Sequence, residues 1–502
     1  MNSWLDVQKT LIKDEFIAKI DVETISLTRI GGYKATPYSL DLDLLTKPMA
    51  KSLKGVWRWW ARTAIIGAYY GEINYKNANE YLSELFGSTK RSSKFKLEVS
   101  DISFPNNHEK RLKEIINEID RFYEGAKDFV ITRTSKLDLS HDKVAVVLNP
   151  VEPKITIGTY RQLDLYLIKK QINDGPLKDF FQGKIESRKG KIEINLNIPN
   201  LYKLTGIPRM KVLLMKRETE ENILSKDNID SNEILSYLKR IKEEIATLIT
   251  EGMKFKITIY GNGNNKEVNF ALSSFILGLI FGGIGSMTKR GFGSLKISLF
   301  SLNDTLEIDP ELKNVIQDLQ SKDFTENELK NTIKKLCEIT IKYVRQLFEI
   351  PSIQSSRTIP RVPSLHNIKI EVKESTVKLD NAGNAFLKQT WKTNPRISGK
   401  NFHTWILGLP RFQRGTGYAK KKNDKYSSER RISSIGVRYF EIKYKVFVIV
   451  YGLLSGDWPE GLLHISKSRK SGKSIETSIE KIPGGSIQDA FNYAFEKVLK
   501  KV

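Results

Sequence analysis

The chain of 502 residues contains one cysteine, Cys337. A single cysteine excludes an internal disulfide and zinc sites that need several cysteines. The longest uncharged run, 268–288, spans 21 residues but is interrupted by Asn269, Ser273, Ser274 and four glycines. We therefore predict a buried helix that runs into a glycine-rich loop, not a membrane span.

Targeting and catalytic signatures are also scarce. The first residues lack the basic-then-apolar order of a signal peptide, so we expect a cytoplasmic protein. No Walker A spacing, G-x-G-x-x-G or G-x-S-x-G occurs. Five scattered histidines include the isolated pair His141-Asp142, which lacks the further ligands of a metal site. We predict no catalytic residues, no metal and no cofactor.

Acidic residues are too few to balance the basic ones. Lys and Arg number 82 against 58 Asp and Glu, a formal net charge of +24. Half of this excess lies in 381–450, which holds 15 Lys and Arg and 3 Asp and Glu. Aromatic side chains alternate with these cations, at Trp391, Phe402, Trp405, Phe412, Tyr418, Tyr426, Tyr439 and Phe440. Cations with interleaved aromatics favour a nucleic acid as the partner, whereas a solvated surface is the simpler alternative.

Hydrophobic periodicity predicts an α+β fold. In the first half we expect the order strand, helix, strand, insertions, strand, helix, strand, which fits a ferredoxin-like βαββαβ unit. We place this domain at 1–301, with charged helical insertions at about 106–129 and 216–250. Residues 302–502 are predicted to hold two helices and then a second α+β unit, in which 376–430 stays unassigned.

The first basic motif is S-L-K-G-V-W-R-W-W-A-R at 52–62. On a helix, Lys54, Arg58 and Arg62 are spaced by four residues and form a stripe along one face. Ser52 lies at the expected helix start, where free N–H groups favour an anion, although it is equally a helix cap. An amphipathic helix with a wet basic face is the alternative interpretation.

The second motif, 282–293, is a loop with five glycines in 12 residues. Glycine permits backbone conformations that other residues rarely adopt, and it lets a phosphate approach the main chain. Lys289 and Arg290 add two cations, so we predict contact with a phosphate backbone. The glycines of this candidate site are Gly282, Gly283, Gly285, Gly291 and Gly293.

The third motif lies within the basic segment. It combines flexible glycines with arginines and a tyrosine, residue types suited to an RNA backbone and a stacked base. Its candidate RNA-binding residues are Arg411, Arg414, Tyr418, Arg430 and Arg431.

Together these motifs resemble the RAMP superfamily of CRISPR proteins. The pairing of 52–62 with G-G-I-G-S-M-T-K-R-G-F-G-S-L at 282–295 carries the resemblance. It is supported by L-T-R-I-G-G at 27–32 and by the tract from L-G-L-P-R at 407–411 to Arg430-Arg431. More narrowly, the chain resembles the first RAMP subunit of the type III-B Cmr effector complex.

The resemblance implies tandem ferredoxin-like (RRM-like) RAMP domains with helical insertions. It implies an RNA-binding subunit of an antiviral ribonucleoprotein, lying near the 3′ part of the guide RNA beside another RAMP subunit and without an active site of its own. The implied partners are guide RNA, target RNA and other Cmr subunits. Family motif residues map onto Ser52, Lys54, Gly55 and Arg58, and onto the loop residues Gly282, Gly283, Gly285, Lys289, Arg290, Gly291 and Gly293.

Two alternatives remain open at this point. A guide-processing, metal-independent endoribonuclease would use a general base, for which His403 in the basic segment is the best placed histidine. A peripheral membrane protein would need a long basic amphipathic surface helix, and the Lys54 stripe is the nearest match. Because the other face of that helix reads as core, we expect no membrane partner.

Overall fold

The computed structural model describes most of the two predicted halves. Described are 15–30, 50–106, 252–351, 359–375, 404–409, 431–459 and 484–502, with Pro48 and the separate strands and helical residues named below. By its contacts the chain forms two compact units. The first unit comprises Met1–Thr28, Pro48–Ser103 and Glu251–Val502, and the second comprises Arg29–Lys47 and Phe104–Thr250.

The first half of the main unit is a four-stranded antiparallel sheet covered by helices. Its strands lie in the order β4-β1-β3-β2, and the helices follow β1 and β3. This order is that of a ferredoxin-like domain, as the sequence predicts. The elements are β1 (Glu15–Thr24), α1 (Ala50–Ala68), α2 (Tyr75–Phe86), β2 (Phe95–Ser103), β3 (Lys254–Gly261), α3 (Asn265–Leu277) and β4 (Leu295–Leu302).

Helix α1 is held on the sheet by its tryptophans. Trp57 is fully buried, and its ring centroid lies 4.8 Å from that of Phe86 and 5.0 Å from that of Phe275. Its indole N–H donates to the carbonyl of Ala271 at 2.9 Å, so the one polar atom of the ring is paired in the core. Helices α1, α2 and α3 are thereby fixed around one side chain.

Helix α3 carries most of the long uncharged run. It begins at an Asn264 capping box, is buried on every side from Glu267 onward, and continues into a single π-helical turn, Gly278–Gly282. A helix that is apolar on every side belongs in a protein core. The predicted buried helix with a glycine loop after it is therefore confirmed, and none of the described helices is long and apolar enough to cross a membrane.

The second half repeats the same strand order. Two connecting helices, α4 (Pro310–Ser321) and α5 (Glu326–Leu347), precede it, and α5 packs against α1 and α3. Its sheet has the order β5-β7-β6, which matches β1-β3-β2 of the first half. The tandem ferredoxin-like architecture is thus confirmed. The elements are β5 (Lys369–Glu374), β6 (Ile435–Ile442), β7 (Lys445–Gly452) and the covering helix α6 (Gly484–Leu499).

Further strands extend the second half. The segment that the sequence leaves unassigned contributes a short helical turn and three of these strands. They pair into one antiparallel sheet with a later hairpin. The turn is Thr404–Leu407, and the strands are Arg411–Gln413, Thr416–Lys422, Lys425–Ser427, Leu462–Lys467 and Ser474–Ile479.

The insertion unit contains a further antiparallel sheet that the sequence analysis did not predict. The described residues of the predicted helix at 106–129 are helical between 110 and 121. In the other predicted helix, 216–250, the described residues are two short strands, and the rest lies outside the described residues. The strands in sheet order are Glu186–Arg188, Lys191–Asn195, Lys154–Ile157, Val144–Val147 and Ile223–Leu224, with Thr28–Arg29, Leu248–Ile249 and the short helix Lys178–Phe180 completing the described elements.

One buried arginine joins the two ferredoxin-like halves. Arg438 of β6 is fully buried and donates from Nη1 to the carbonyls of Thr288 and Phe292 at 2.8 and 2.7 Å, and from Nη2 to that of Gly293 at 2.8 Å. Burial lowers the pKa of its guanidinium to about 10, which leaves it charged at neutral pH. The second half therefore holds the glycine loop of the first half in place.

Replacing this arginine should destabilise the whole main unit. Arg438→Met keeps the length of the side chain but removes three charged hydrogen bonds, and the Phe292 carbonyl loses its donor, while those of Thr288 and Gly293 still accept from the Gly291 and Ile284 N–H groups. We expect the free energy of unfolding to fall by about 3 kcal/mol, since an unpaired buried group costs about 1–3 kcal/mol, hydrogen bonds to a charged group are lost, and the relief of a buried charge offsets part of this. Urea unfolding measures it, with exposed Arg91→Met as the control. Equal stabilities of the two variants would contradict the role of Arg438.

Candidate nucleic-acid interface

The basic stripe predicted on α1 is present in the structure, but its side chains already make hydrogen bonds within the chain. Lys54 Nζ donates to the Phe95 carbonyl at 3.1 Å. Arg58 Nη1 donates to the carbonyls of Phe86 and Gly87 at 2.6 and 2.7 Å, at the C-terminal end of α2. The stripe therefore also fastens α1 to the elements beside it.

The third stripe residue is held in the same way. Arg62 Nε donates to Asn79 Oδ1 at 2.7 Å, and its guanidinium carbon lies 5.9 Å from the centre of the Tyr75 ring. Lys54, Arg58 and Arg62 all remain partly exposed, so each can still meet a ligand.

These cations lie close enough to repel one another. Burial lowers the pKa of Lys54, and nearby Arg58 and Lys96 lower it further. The pKa of Arg62 is also lowered, first by burial, while Tyr75 acts in the opposite direction and Arg58 lowers it. An anion placed over the stripe would relieve this repulsion, because it favours the charged form of each group.

The start of α1 differs from the prediction in one detail. The helix begins at Ala50, so exposed Ser52 lies within its first turn and is not the capping residue. Gly55 is also exposed, and a Cβ added there would meet no atom within 4 Å. Glycine inside a helix costs about 0.5–1 kcal/mol relative to alanine. The packing of the described residues gives no reason for it.

The glycines of the loop have a different explanation. Gly283 has a φ of +63°, and a Cβ there would lie 1.8 Å from Arg438 Nη2. Gly293 has a φ of +61°, and its Cβ would lie 1.8 Å from the Ile284 carbonyl oxygen. Both glycines are therefore required by the fold itself. Among the others, Gly285 and Gly291 have φ values of +81° and +86°, and a Cβ on Gly282 would meet Val56 Cγ1 at 2.3 Å.

The loop cations are likewise bound into the structure. Lys289 Nζ donates to the Ser433 carbonyl at 2.5 Å and lies 5.4 Å from the centre of the Trp59 ring. Burial, followed by the charge of Arg431, lowers the pKa of Lys289 to about 7, while Asp457 acts in the opposite direction. The backbone of neighbouring Arg290 bridges to Val437 in parallel fashion, and burial lowers the pKa of its guanidinium.

Of the third motif, the structure describes Arg431 fully. Its Nη2 donates to Asp457 Oδ1 at 2.6 Å, and its guanidinium carbon lies 4.7 Å from the centre of the Trp458 ring. Arg411 and Tyr418 face each other as partners on neighbouring strands, at Arg411–Gln413 and Thr416–Lys422. Arg414 and Arg430 lie outside the described residues.

All three motifs meet around one cleft of about 400 Å³. Helix α1 supplies one wall, the glycine loop supplies the second, and the segment from Arg431 to Ser434 supplies the third. Trp60 stacks on Phe281 there at 4.8 Å, and the Tyr451 hydroxyl donates to the Phe281 carbonyl at 3.0 Å. The lining residues include Val56, Trp59, Trp60, Tyr75, Gly282, Met287, Thr288, Lys289, Arg431, Ile432, Ser433, Ser434, Tyr451 and Leu453.

Several of these lining residues were not predicted from the sequence. Trp59 belongs to the first motif but was counted there only as part of the helix, and Tyr75 begins the unpredicted helix α2. Asn74 accepts from the backbone N–H of Asn77 as the cap of α2, which is a recognisable start signal. Tyr451 has no comparable signal, because only the fold brings β7 to this cleft.

The histidines and acidic groups form no recognisable centre. His366 Nδ1 lies 2.7 Å from Ser364 Oγ, and burial, followed by Arg345, lowers its pKa. His403 and the His141-Asp142 pair lie outside the described residues. Within the described part of the chain, no group of three or more His, Cys, Asp and Glu residues could hold a metal ion.

The low pKa of Lys289 should appear in the pH dependence of stability. Its pKa is about 7 in the fold but about 10.4 in an unfolded chain. Between these values the unfolded state binds more protons, so stability rises with pH and is lowest below about pH 7. The free energy of unfolding of the natural chain relative to Lys289→Met should therefore rise between about pH 6.5 and 9.

Urea unfolding at both pH values measures this difference. Lys335 is an exposed lysine of α5, so Lys335→Met serves as the control and should show no such trend. A pH-independent difference for Lys289→Met would contradict the enclosed state of this ammonium.

Comparison with known proteins agrees with these motifs. Residues 49–296 match the family model of the RAMP superfamily. The chain is 26% identical over 312 residues to the CRISPR system CMR subunit Cmr1 of Saccharolobus solfataricus, covering 58% of this chain and 57% of that protein. It is 33% identical over 94 residues to the Cmr subunit Cmr1-1 of Pyrococcus furiosus, covering 18% and 24%. The matches thus span about half or less of the length of these relatives.

The fold comparison covers nearly the whole chain. A chain in the cryo-EM structure of the type III-B Cmr-beta bound to cognate target RNA superposes with a TM-score of 0.50 at 15% identity, covering 97% of this chain and 100% of that chain. The shared fold extends the likeness beyond the matched sequence into the second half. The resemblance predicted from the sequence is confirmed: residues 49–296 match the RAMP superfamily, and the chain is similar to Cmr1 subunits of CRISPR systems.

Proposed function

We propose that the chain is the RNA-binding subunit of a CRISPR type III-B Cmr ribonucleoprotein in antiviral defence. It contacts guide RNA near its 3′ part, target RNA, or both, and it lies beside another RAMP subunit among the Cmr proteins. We assign it no chemical step of its own. The likeness to Cmr1 subunits and to a chain of an assembly bound to target RNA supports this proposal.

The observation that carries the proposal is the meeting of three motifs at one cleft. They come from 52–62, 282–293 and the segment from Arg431 to Ser434, which are far apart in sequence. The cations that line the cleft are Lys289 of the second motif and Arg431 of the third, both held by internal partners, whereas α1 contributes Val56, Trp59 and Trp60. A pre-formed, positively charged surface of this kind suits a phosphate backbone. Because its side chains are already ordered in the folded chain, little conformational entropy is lost when RNA binds.

Outside the lining of the cleft, the stripe of α1 offers three further cations to phosphates. Lys54, Arg58 and Arg62 are fixed by hydrogen bonds yet partly exposed, so little side-chain entropy is lost when RNA binds. Exposed Gly55 lies in the same turn of helix as Lys54, and its open space lets a sugar or phosphate approach the backbone.

Crosslinking of the assembled complex tests the proposal directly. Guide and target RNA carrying photoreactive 4-thiouridine are irradiated in separate reconstituted complexes, and peptides of this chain are sequenced. We expect adducts within 50–62, 282–293 or 431–434 from one or both RNAs. Assembly of the complex without a crosslink from either RNA to this chain would overturn the proposal.

Gly55 of α1 yields a prediction in which the free energy of unfolding rises while RNA affinity falls. Gly55→Ala should raise the free energy of unfolding by about 0.5–1 kcal/mol, because alanine is the better helix former and no atom obstructs its methyl group. RNA affinity should fall several-fold, since the methyl group occupies the approach to the backbone. Urea unfolding and fluorescence anisotropy with a labelled single-stranded RNA measure the two effects. A stabilised variant with unaltered affinity would remove Gly55 from the interface.

The stripe yields a prediction about salt. Lys54→Met removes one cation from the proposed phosphate path, whereas Lys335→Met removes one exposed cation from α5. For single-stranded RNA the slope of log affinity against log salt should flatten by about 0.7 in the first variant and stay constant in the second. Anisotropy titrations at about 50–200 mM salt measure these slopes. Identical slopes would show that Lys54 contacts no phosphate.

A further inference from the structure

The cleft has features that phosphate binding does not use. Its volume of about 400 Å³ falls within the usual range of about 300–1,000 Å³ for small-molecule sites. A flat surface would suffice for a backbone contact. The cleft instead offers a recess, next to the proposed RNA path, that can hold one planar group.

Its wall is aromatic. Trp59 and Trp60 meet edge to face, with ring centroids 4.8 Å apart and planes at 74°. Trp60 also stacks on Phe281, so it is fixed from within the core, while Trp59 is only half-buried. Trp59 therefore presents a rigid aromatic surface at the cleft, and such surfaces stack nucleobases with little dependence on sequence.

A buried hydroxyl of the cleft has no partner. Ser434 is 3% exposed, it lines the cleft, and its Oγ makes no hydrogen bond to any described residue. Neighbouring Ser433 differs, because its Oγ donates to the Ile435 carbonyl and accepts from the Ile435 N–H. Buried polar groups are normally paired with protein or water, so the Ser434 hydroxyl is free to hydrogen-bond to a molecule that enters the cleft.

The rim of the cleft combines an apolar side chain with cations. Ile432 is 62% exposed, which is unusual for so large an apolar residue, and it follows Arg431 directly. Lys289 lies on the opposite, loop side of the same cleft. An apolar partner alone would explain Ile432 and the aromatic wall, but not the unpaired hydroxyl between flanking cations.

We propose that this cleft binds one unstacked nucleobase of the RNA strand that the chain contacts. The proposal rests on the function proposed above and adds to it a base contact beside the phosphate contacts. Trp59 stacks on one face of the base, the Ser434 hydroxyl hydrogen-bonds to its edge, and Ile432 covers the open side. The site thereby selects single-stranded over paired RNA, since a base inside a duplex cannot enter the recess.

Abasic RNA tests this arrangement with the full chain. Anisotropy is measured with one labelled single-stranded RNA and with a series of the same RNA lacking the base at each position in turn. We expect one position at which removal of the base weakens binding about 10-fold without a change in salt slope. The other positions should have small effects.

The variant Ser434→Ala tests whether the Ser434 hydroxyl makes the proposed contact with the base. It removes only an unpaired hydroxyl, so the free chain should fold unchanged while its affinity for intact RNA falls about 3-fold to 10-fold. The losses from the variant and from the critical abasic position should not multiply, because both remove the same contact. Ser273→Ala, a buried serine of α3 away from the cleft, is the matched control and should leave affinity unchanged.

The outcomes separate this inference from the function on which it rests. If the RNA binds with its usual salt slope but no abasic position matters, the base pocket is overturned and RNA binding stands. If Ser434→Ala and Trp59→Leu impair assembly with other Cmr subunits and not RNA affinity, a protein side chain occupies the cleft, and the inference is equally overturned. If intact RNA does not bind at all, the proposed function fails first.

Discussion

The structure of the interface depends on the burial of a single positive charge. Arg438 carries a guanidinium that is fully enclosed and is balanced by three backbone carbonyls of the glycine loop. Desolvating a charge is costly unless hydrogen bonds compensate for it. Nη1 and Nη2 are paired, while Nε has no partner among the described residues, so the three carbonyls must converge on the guanidinium with little freedom. That requirement bends the loop sharply at Gly283 and Gly293, where no side chain fits. It also brings Lys289 to Ser433 and thereby closes the cleft between the halves.

The glycine loop shows how one motif can serve the fold and a ligand together. Two of its glycines are required by internal contacts, so their presence alone says little about RNA. Gly55 is the opposite case, because nothing around it within the described chain needs a glycine. The strongest functional signal in the motifs is therefore the residue that packing leaves unexplained, and Ser434 with its unpaired hydroxyl belongs to the same class.

Periodicity was sufficient to predict the ferredoxin-like fold of the first half, because alternation in β1 and β3 and the spacing of Trp57, Trp60 and Ala64 follow from one buried face. The tandem arrangement was predicted from the family resemblance alone. It also placed the Lys54 stripe on one side of α1. It did not show that the stripe would bind α2 and β2, since a repeat identifies a face and not its neighbour. Helix α2 was missed although Asn74 marks its start. Arg438 was not singled out, because it looks like any other cation of the basic segment until the fold buries it.

The cleft is built from segments that lie far apart in the sequence, and this has a consequence for biosynthesis. Its walls come from α1, from the glycine loop and from residues up to Leu453, so a ribosome must translate nearly the whole chain before the recess exists. A nascent first half exposes the cations of α1 but has neither Arg438 to shape its loop nor Ser434 to line a pocket. The proposed recognition of a base would thus be acquired late in synthesis, after the first half of the polypeptide already carries its positive charge.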